Sequence, residues 1–81
     1  MPEELKNGTK AVGFKETRRA VLTGKAQRVY LAADADPALC ETLEELCVRS
    51  GIAVNRDATM KELGQACSIS VGAAAAALLK G

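Results

Sequence analysis

The stretch Arg28-Val29-Tyr30-Leu31-Ala32-Ala33-Asp34-Ala35-Asp36-Pro37, with Ala38 to Gly51 behind it, decides the fold class. Arg28 to Ala33 is rich in residues that suit a buried strand, and the Asp34-Ala35-Asp36-Pro37 turn ends it. Asp36 suits a helix cap and Pro37 the first helical position. Beyond them Leu39, Leu43, Leu46 and Cys47 recur at helical spacing until Gly51. A strand therefore runs directly into a helix, and the flanking segments repeat the alternation. Downstream, Ile52 to Asn55 is short and apolar like a strand, and Thr59 with Glu62 predicts a capping box opening a helix through Ala66. Upstream, Gly13 interrupts an extended run at Ala11 and Val12. Lys15 onward favours a helix with Ala20 and Val21 on one side, Lys15, Arg18 and Arg19 on another, and Gly24 as its stop. Pro2 predicts a short opening helix over Glu3 to Lys6, ended near Asn7-Gly8. This alternation implies an α/β sandwich. The run Gly72 to Leu79 stays open: its alanines favour a helix by propensity, yet a continuous small-apolar run also suits a strand buried on both faces.

With 81 residues, the chain is expected to form one domain over residues 1–81. Hydrophobic residues at 48% keep it away from compositions that stay unfolded. Its only aromatics are Phe14 and Tyr30, so the core must be made of small aliphatic and sulfur-bearing side chains. Three cysteines, Cys40, Cys47 and Cys67, cannot all pair within one chain, which predicts free thiols in a reducing, cytoplasmic setting. Without histidine or a C-x-x-C pair the usual zinc ligands are missing, and no apolar run is long enough to span a bilayer.

The net charge of +1 conceals an asymmetry. Residues 1–28 hold seven Lys/Arg against Glu3, Glu4 and Glu16, whereas residues 29–50 hold five Asp/Glu against Arg49 alone. A polyanion should approach the N-terminal part and avoid the Glu41 to Glu45 helix, because phosphate contacts dominate nucleic-acid affinity.

Catalytic constellations are scarce. Nucleophilic catalysis needs a base within reach, and this chain has thiols but no histidine. Cys40 and Cys47, seven residues apart, read as small buried hydrophobes. Asp34 and Asp36 read as capping and turn residues. Gly8 and Gly13 have the opening spacing of a phosphate-binding loop, but Phe14 stands where lysine is required. What remains is Gly13-Phe14-Lys15-Glu16-Thr17-Arg18-Arg19-Ala20-Val21, a glycine entering a helix whose first turn carries Lys15, Glu16 and Arg19. A helix start favours phosphate, arginine can donate to guanine O6 and N7, and a carboxylate can accept from base amino and imino groups.

Two further segments give this constellation a context: Leu31-Ala32-Ala33-Asp34-Ala35-Asp36-Pro37, and Met60-Lys61-Glu62-Leu63-Gly64-Gln65-Ala66-Cys67-Ser68-Ile69-Ser70-Val71-Gly72-Ala73-Ala74-Ala75. In this order and spacing, from about Glu3 to Leu79, the sequence resembles the kink-turn-binding ribosomal protein superfamily of archaeal large-subunit seven-Ae and eukaryotic thirty-e proteins, and in particular its small bacterial paralogues. The resemblance implies a three-layer α-β-α sandwich with a four-stranded mixed sheet, in which about Ala75 to Lys80 is a strand. It implies a non-enzymatic, monomeric protein without cofactor or metal, whose partner is kink-turn RNA, ribosomal RNA included, with no DNA specificity and no membrane. In that family, residues matching Gly13, Phe14, Lys15, Glu16, Arg18 and Arg19 enter the widened major groove, where Lys15, Glu16 and Arg19 face the guanines of sheared G·A pairs. Arg18 suits either a phosphate contact or a surface ion pair. The loop matching Ile69, Ser70, Val71 and Gly72 covers an unstacked bulge nucleotide, the alternative for Ile69 and Val71 being core packing. Lys15 departs from the asparagine of the archaeal proteins, and Gly72 from their usual alanine. A protein-interaction adaptor of the same fold is the rival expectation, with an enzyme accessory subunit behind it.

Overall fold

The computed structural model describes residues 8–80, so the expected opening helix at Glu3 to Lys6 lies outside the described residues. Seven elements follow: β1 (Lys10–Val12), α1 (Phe14–Leu22), β2 (Ala26–Leu31), α2 (Pro37–Ser50), β3 (Ala53–Asn55), α3 (Met60–Ala66) and β4 (Ala75–Leu79). The strands form one mixed sheet in the order β1-β4-β2-β3. The last strand lies between the first and second, antiparallel to both, and β3 runs parallel beside β2.

Local chemistry sets most boundaries. Asp36 accepts a hydrogen bond from the Ala38 N–H at 2.9 Å, Pro37 opens α2, and Gly51 closes it in the left-handed conformation. At α3 the Thr59 hydroxyl accepts from the Glu62 N–H while the Glu62 carboxylate accepts from the Thr59 N–H, a complete capping box. Strand β2 begins at Ala26 and ends at Leu31, a two-residue displacement from the Arg28–Ala33 expected on composition. An irregularity in the β2–β4 ladder between Ala26 and Arg28 accommodates the early start.

The alanine run is a strand because of its neighbours. Ala76 pairs with Val12 on one side and Tyr30 on the other, and Ala75 to Leu78 are all buried. Ladder bonds on both edges, with both faces covered, outweigh a helix preference of a few tenths of a kcal/mol per residue. Beside it Val29, Tyr30 and Leu31 are consecutive and buried, the pattern of a central strand sandwiched between layers. Leu43 and Leu63 fill the space from the helices, each contributing about 1.5–3 kcal/mol by burial. On α2 the buried stripe is Cys40, Leu43 and Cys47, whereas Leu39, expected on that stripe, is exposed. The thiols are small enough to let α2 sit close to the sheet. Burial raises the pKa of the Cys47 and Cys67 thiols, with Glu44 adding to the effect at Cys47, so both stay protonated at neutral pH. Among the described residues no helix is long and apolar enough to cross a membrane.

Candidate nucleic-acid interface

Strand directions bring the starts of all three helices to one end of the sheet. The Gly13 N–H donates to the Ala75 carbonyl at 2.8 Å, so α1 starts beside the beginning of β4. The Ala32 N–H donates to the Ala74 carbonyl at 2.9 Å, which holds the β2–α2 turn there as well. The Ala33 N–H then donates to the Ala58 carbonyl, and Asp34 accepts from the Met60 N–H at 2.7 Å, drawing in the start of α3. The same end therefore carries the N–H groups of the first turn of α1, which has no side-chain cap, the side-chain-capped starts of α2 and α3, and the chain leading from α3 into β4.

At the α1 start, Gly13 has φ 97° and ψ 160°, backbone that only glycine adopts readily. A Cβ there would touch nothing within 4 Å, so the requirement is conformational. Thr17, Ala20 and Val21 are buried beneath α1, and Lys15, Glu16, Arg18 and Arg19 are exposed. These four do not share one surface. Glu16 and Arg19 line a cleft against Ala11 and Leu79, whereas Arg18 points into the groove toward α2, beside Phe14, Leu46 and Arg49. Arg18 makes no ion pair among the described residues; the exposed pairs are Arg49–Glu45 and Arg56–Glu44.

The second limb is the segment after α3. Ser68 adopts φ 60°, its N–H donates to the Gln65 carbonyl, and the Ile69 N–H donates to the Gly64 carbonyl at 3.0 Å. Together these form a Schellman closure with serine in the left-handed position. The chain then folds back over α3. A Cβ on buried Gly64 would overlap the Val71 carbonyl oxygen, and the Ala73 N–H donates to the Met60 carbonyl at 3.0 Å. Gly72 lies close to Met60, whose Cβ would stand 3.2 Å from an added Cβ. Val71 is 68% exposed and Ile69 37% exposed, so neither is a core residue and the core-packing alternative does not hold.

Ile69, Ser70, Val71 and Gly72 form one wall of an open cleft of about 390 Å³, within the roughly 300–1,000 Å³ range of small-ligand sites. Its other wall is Asp34, Met60, Lys61 and Gln65, none of which is among the site residues expected from the sequence. A signal existed for two of them. Lys61 and Gln65 are four residues apart on the exposed side of α3, on the helix that enters the Ile69–Gly72 loop. Asp34 read as a cap, and it is one, but for a helix 26 residues downstream. Glu62, next to Lys61 in α3, has its carboxyl held below the usual glutamate range by the hydrogen bond from the Thr59 N–H and then by the Thr59 hydroxyl.

Comparison with known proteins agrees with this architecture. An RNA-binding protein of Geobacillus sp. (strain WCH70) is 42% identical over 76 residues, covering 94% of this chain and 93% of that protein. The RNA-binding protein YbxF of Geobacillus stearothermophilus is 40% identical over the same shares of both chains. Among solved structures, the Giardia lamblia 15.5kD RNA binding protein superposes with a TM-score of 0.91 at 31% identity, covering 98% of this chain and 70% of that one. The sequence profile of the Ribosomal protein L7Ae/L30e/S12e/Gadd45 family matches residues 1–81, and on that match the chain belongs to this family.

Proposed function

We propose that this chain binds RNA as a single domain and recognises the kink-turn, a helix–bulge–helix element with sheared G·A pairs. The observation carrying this reading is the Gly13–Ala75 hydrogen bond, which fixes the exposed start of α1 and the chain leading out of the exposed Ile69–Gly72 loop at one end of the sheet. The RNA-binding names of the relatives support it. In this reading, Arg19 donates to guanine O6 and N7, Glu16 accepts from base amino or imino groups, and Lys15 supplies donors alone. The free N–H groups of the first turn of α1 meet phosphate. Ile69 and Val71 lie over an unstacked base, with Lys61 and Gln65 across the cleft offering polar contacts to it. Binding requires no bond to be made or broken. It shifts a kinked-against-extended equilibrium by the difference in affinity for the two states. A cytoplasmic monomer acting on ribosomal or regulatory RNA is the setting this fits.

Gel-shift titration against a kink-turn and a G·A-disrupted control at one salt concentration tests it. Tight binding to the first and weak binding to the second is expected. Equal binding to both would reduce the protein to a general polyanion binder, and no binding at moderate salt would favour the adaptor reading.

A further inference from the structure

The cleft that holds Glu16 and Arg19 does not stop at the guanine-reading turn: it continues along α1 past Thr23 to Lys25, beyond the far end of that helix. An α-helix of nine residues is about 13 Å long, so the cleft reaches roughly four base-pair steps from the α1 start. Among the described residues neither Arg19 nor Lys25 is paired with a carboxylate, and Glu16 is the only acid in the cleft. Lys25 follows Gly24 at φ 72°, and its N–H donates to the Ala20 carbonyl at 2.9 Å, so its backbone is fixed against α1. The Lys80 N–H donates to the Lys25 carbonyl at 2.9 Å, which ties this turn to the end of β4 as well. A cation whose backbone is fixed on the same cleft as a base-reading arginine, with Glu16 the one acid among the described residues that line it, suits the phosphate backbone of a regular duplex leaving the kink.

We infer that Lys25 contacts the phosphate backbone of one stem flanking the kink, making the cleft beside α1 a stem-binding track distinct from the kink contacts. This rests on the kink-turn reading above. It predicts that the protein measures stem length as well as kink geometry.

The test uses the full chain and three kink-turn RNAs: one with minimal stems, and two with one stem or the other lengthened by a helical turn. For the parent protein, lengthening one particular stem should tighten binding and steepen its salt dependence. Lys25→Gln should cancel that gain, losing about 3–10-fold on the lengthened RNA with a salt slope shallower by about 1, and leave the minimal RNA unchanged. Lys25→Glu should lose more on the same RNA. Equal affinities of Lys25→Gln and parent for all three RNAs would overturn the inference, as would an equal loss on minimal and lengthened RNA. If the parent prefers the kink-turn over its G·A-disrupted form while Lys25→Gln has no effect, the stem track alone is wrong. A parent without that preference removes the kink-turn reading and the track with it.

Discussion

Glu16 and Arg19 share one cleft while Arg18 faces α2, so three adjacent charges on a single helix divide between two surfaces. That division makes a residue-level prediction. Glu16→Ala and Arg19→Ala should each weaken kink-turn binding by about 1–3 kcal/mol, the range for a lost base contact, whereas Arg49→Ala on the acidic helix should leave it unchanged. Dissociation constants at fixed salt decide this, and parent-like binding by both α1 variants would misplace the reading helix. Val71 offers a test of the other limb. Val71→Asp puts a carboxylate on a residue that is 68% exposed, beside an unstacked base and its phosphates in the proposed complex. It should fold normally yet lose discrimination between kinked RNA and plain duplex. An unchanged ratio of the two affinities would remove the apolar lid from the account.

At the level of elements, the interface depends on how closely the chain after α3 lies on that helix. Gly64→Ala would thrust a methyl group into the Val71 carbonyl, where no flexible side chain can yield. The Ile69–Gly72 loop must then lift, with an expected stability loss of about 1–3 kcal/mol and poorer kink discrimination. Denaturant unfolding beside an RNA titration checks both, and a variant matching the parent in each would refute the seat. The α3 cap also makes stability depend on pH. Glu62 has its pKa lowered in the fold, so its contribution is present above the ordinary glutamate value and is lost as pH falls through the folded value. Melting temperatures of the parent and of Glu62→Gln should therefore converge on acidification below that range, and curves that stay parallel would deny the cap this role. Elements with local signals were legible in the sequence: Asp36-Pro37 opened α2, and Thr59 with Glu62 opened α3. Strand β4 was not legible in this way, because what makes Ala76 a strand residue is Val12 on one side and Tyr30 on the other, 64 and 46 positions away. The local reading of Gly72 to Leu79 left helix and strand open, and the resemblance of the chain from about Glu3 to Leu79 to a known family decided for the strand. Asp34 is the same case at a single residue, since the helix it caps begins 26 positions later. Leu39 misled for a geometric reason: α2 buries the narrow stripe of Cys40, Leu43 and Cys47, leaving a leucine at its edge exposed.

For the whole molecule, the proposed function requires that one end of the sheet bind a kinked RNA more tightly than an extended one. The sequence charge asymmetry agrees with the proposed orientation, since α2 carries Glu41, Glu44 and Glu45 against Arg49 while the cleft beside α1 carries Arg19 and Lys25 against Glu16. In the proposed complex the fold has to hold two limbs in register, and β4, hydrogen-bonded to β1 on one edge and β2 on the other, joins them through the sheet. The most direct measurement is fluorescence energy transfer between the two stem ends of a kink-turn RNA, titrated with the protein under conditions where the free RNA is mostly extended. A saturable rise in transfer as the stems close is expected, abolished when the sheared G·A pairs are replaced by Watson–Crick pairs. Binding without any rise in transfer, or an equal rise with the replaced pairs, would contradict it.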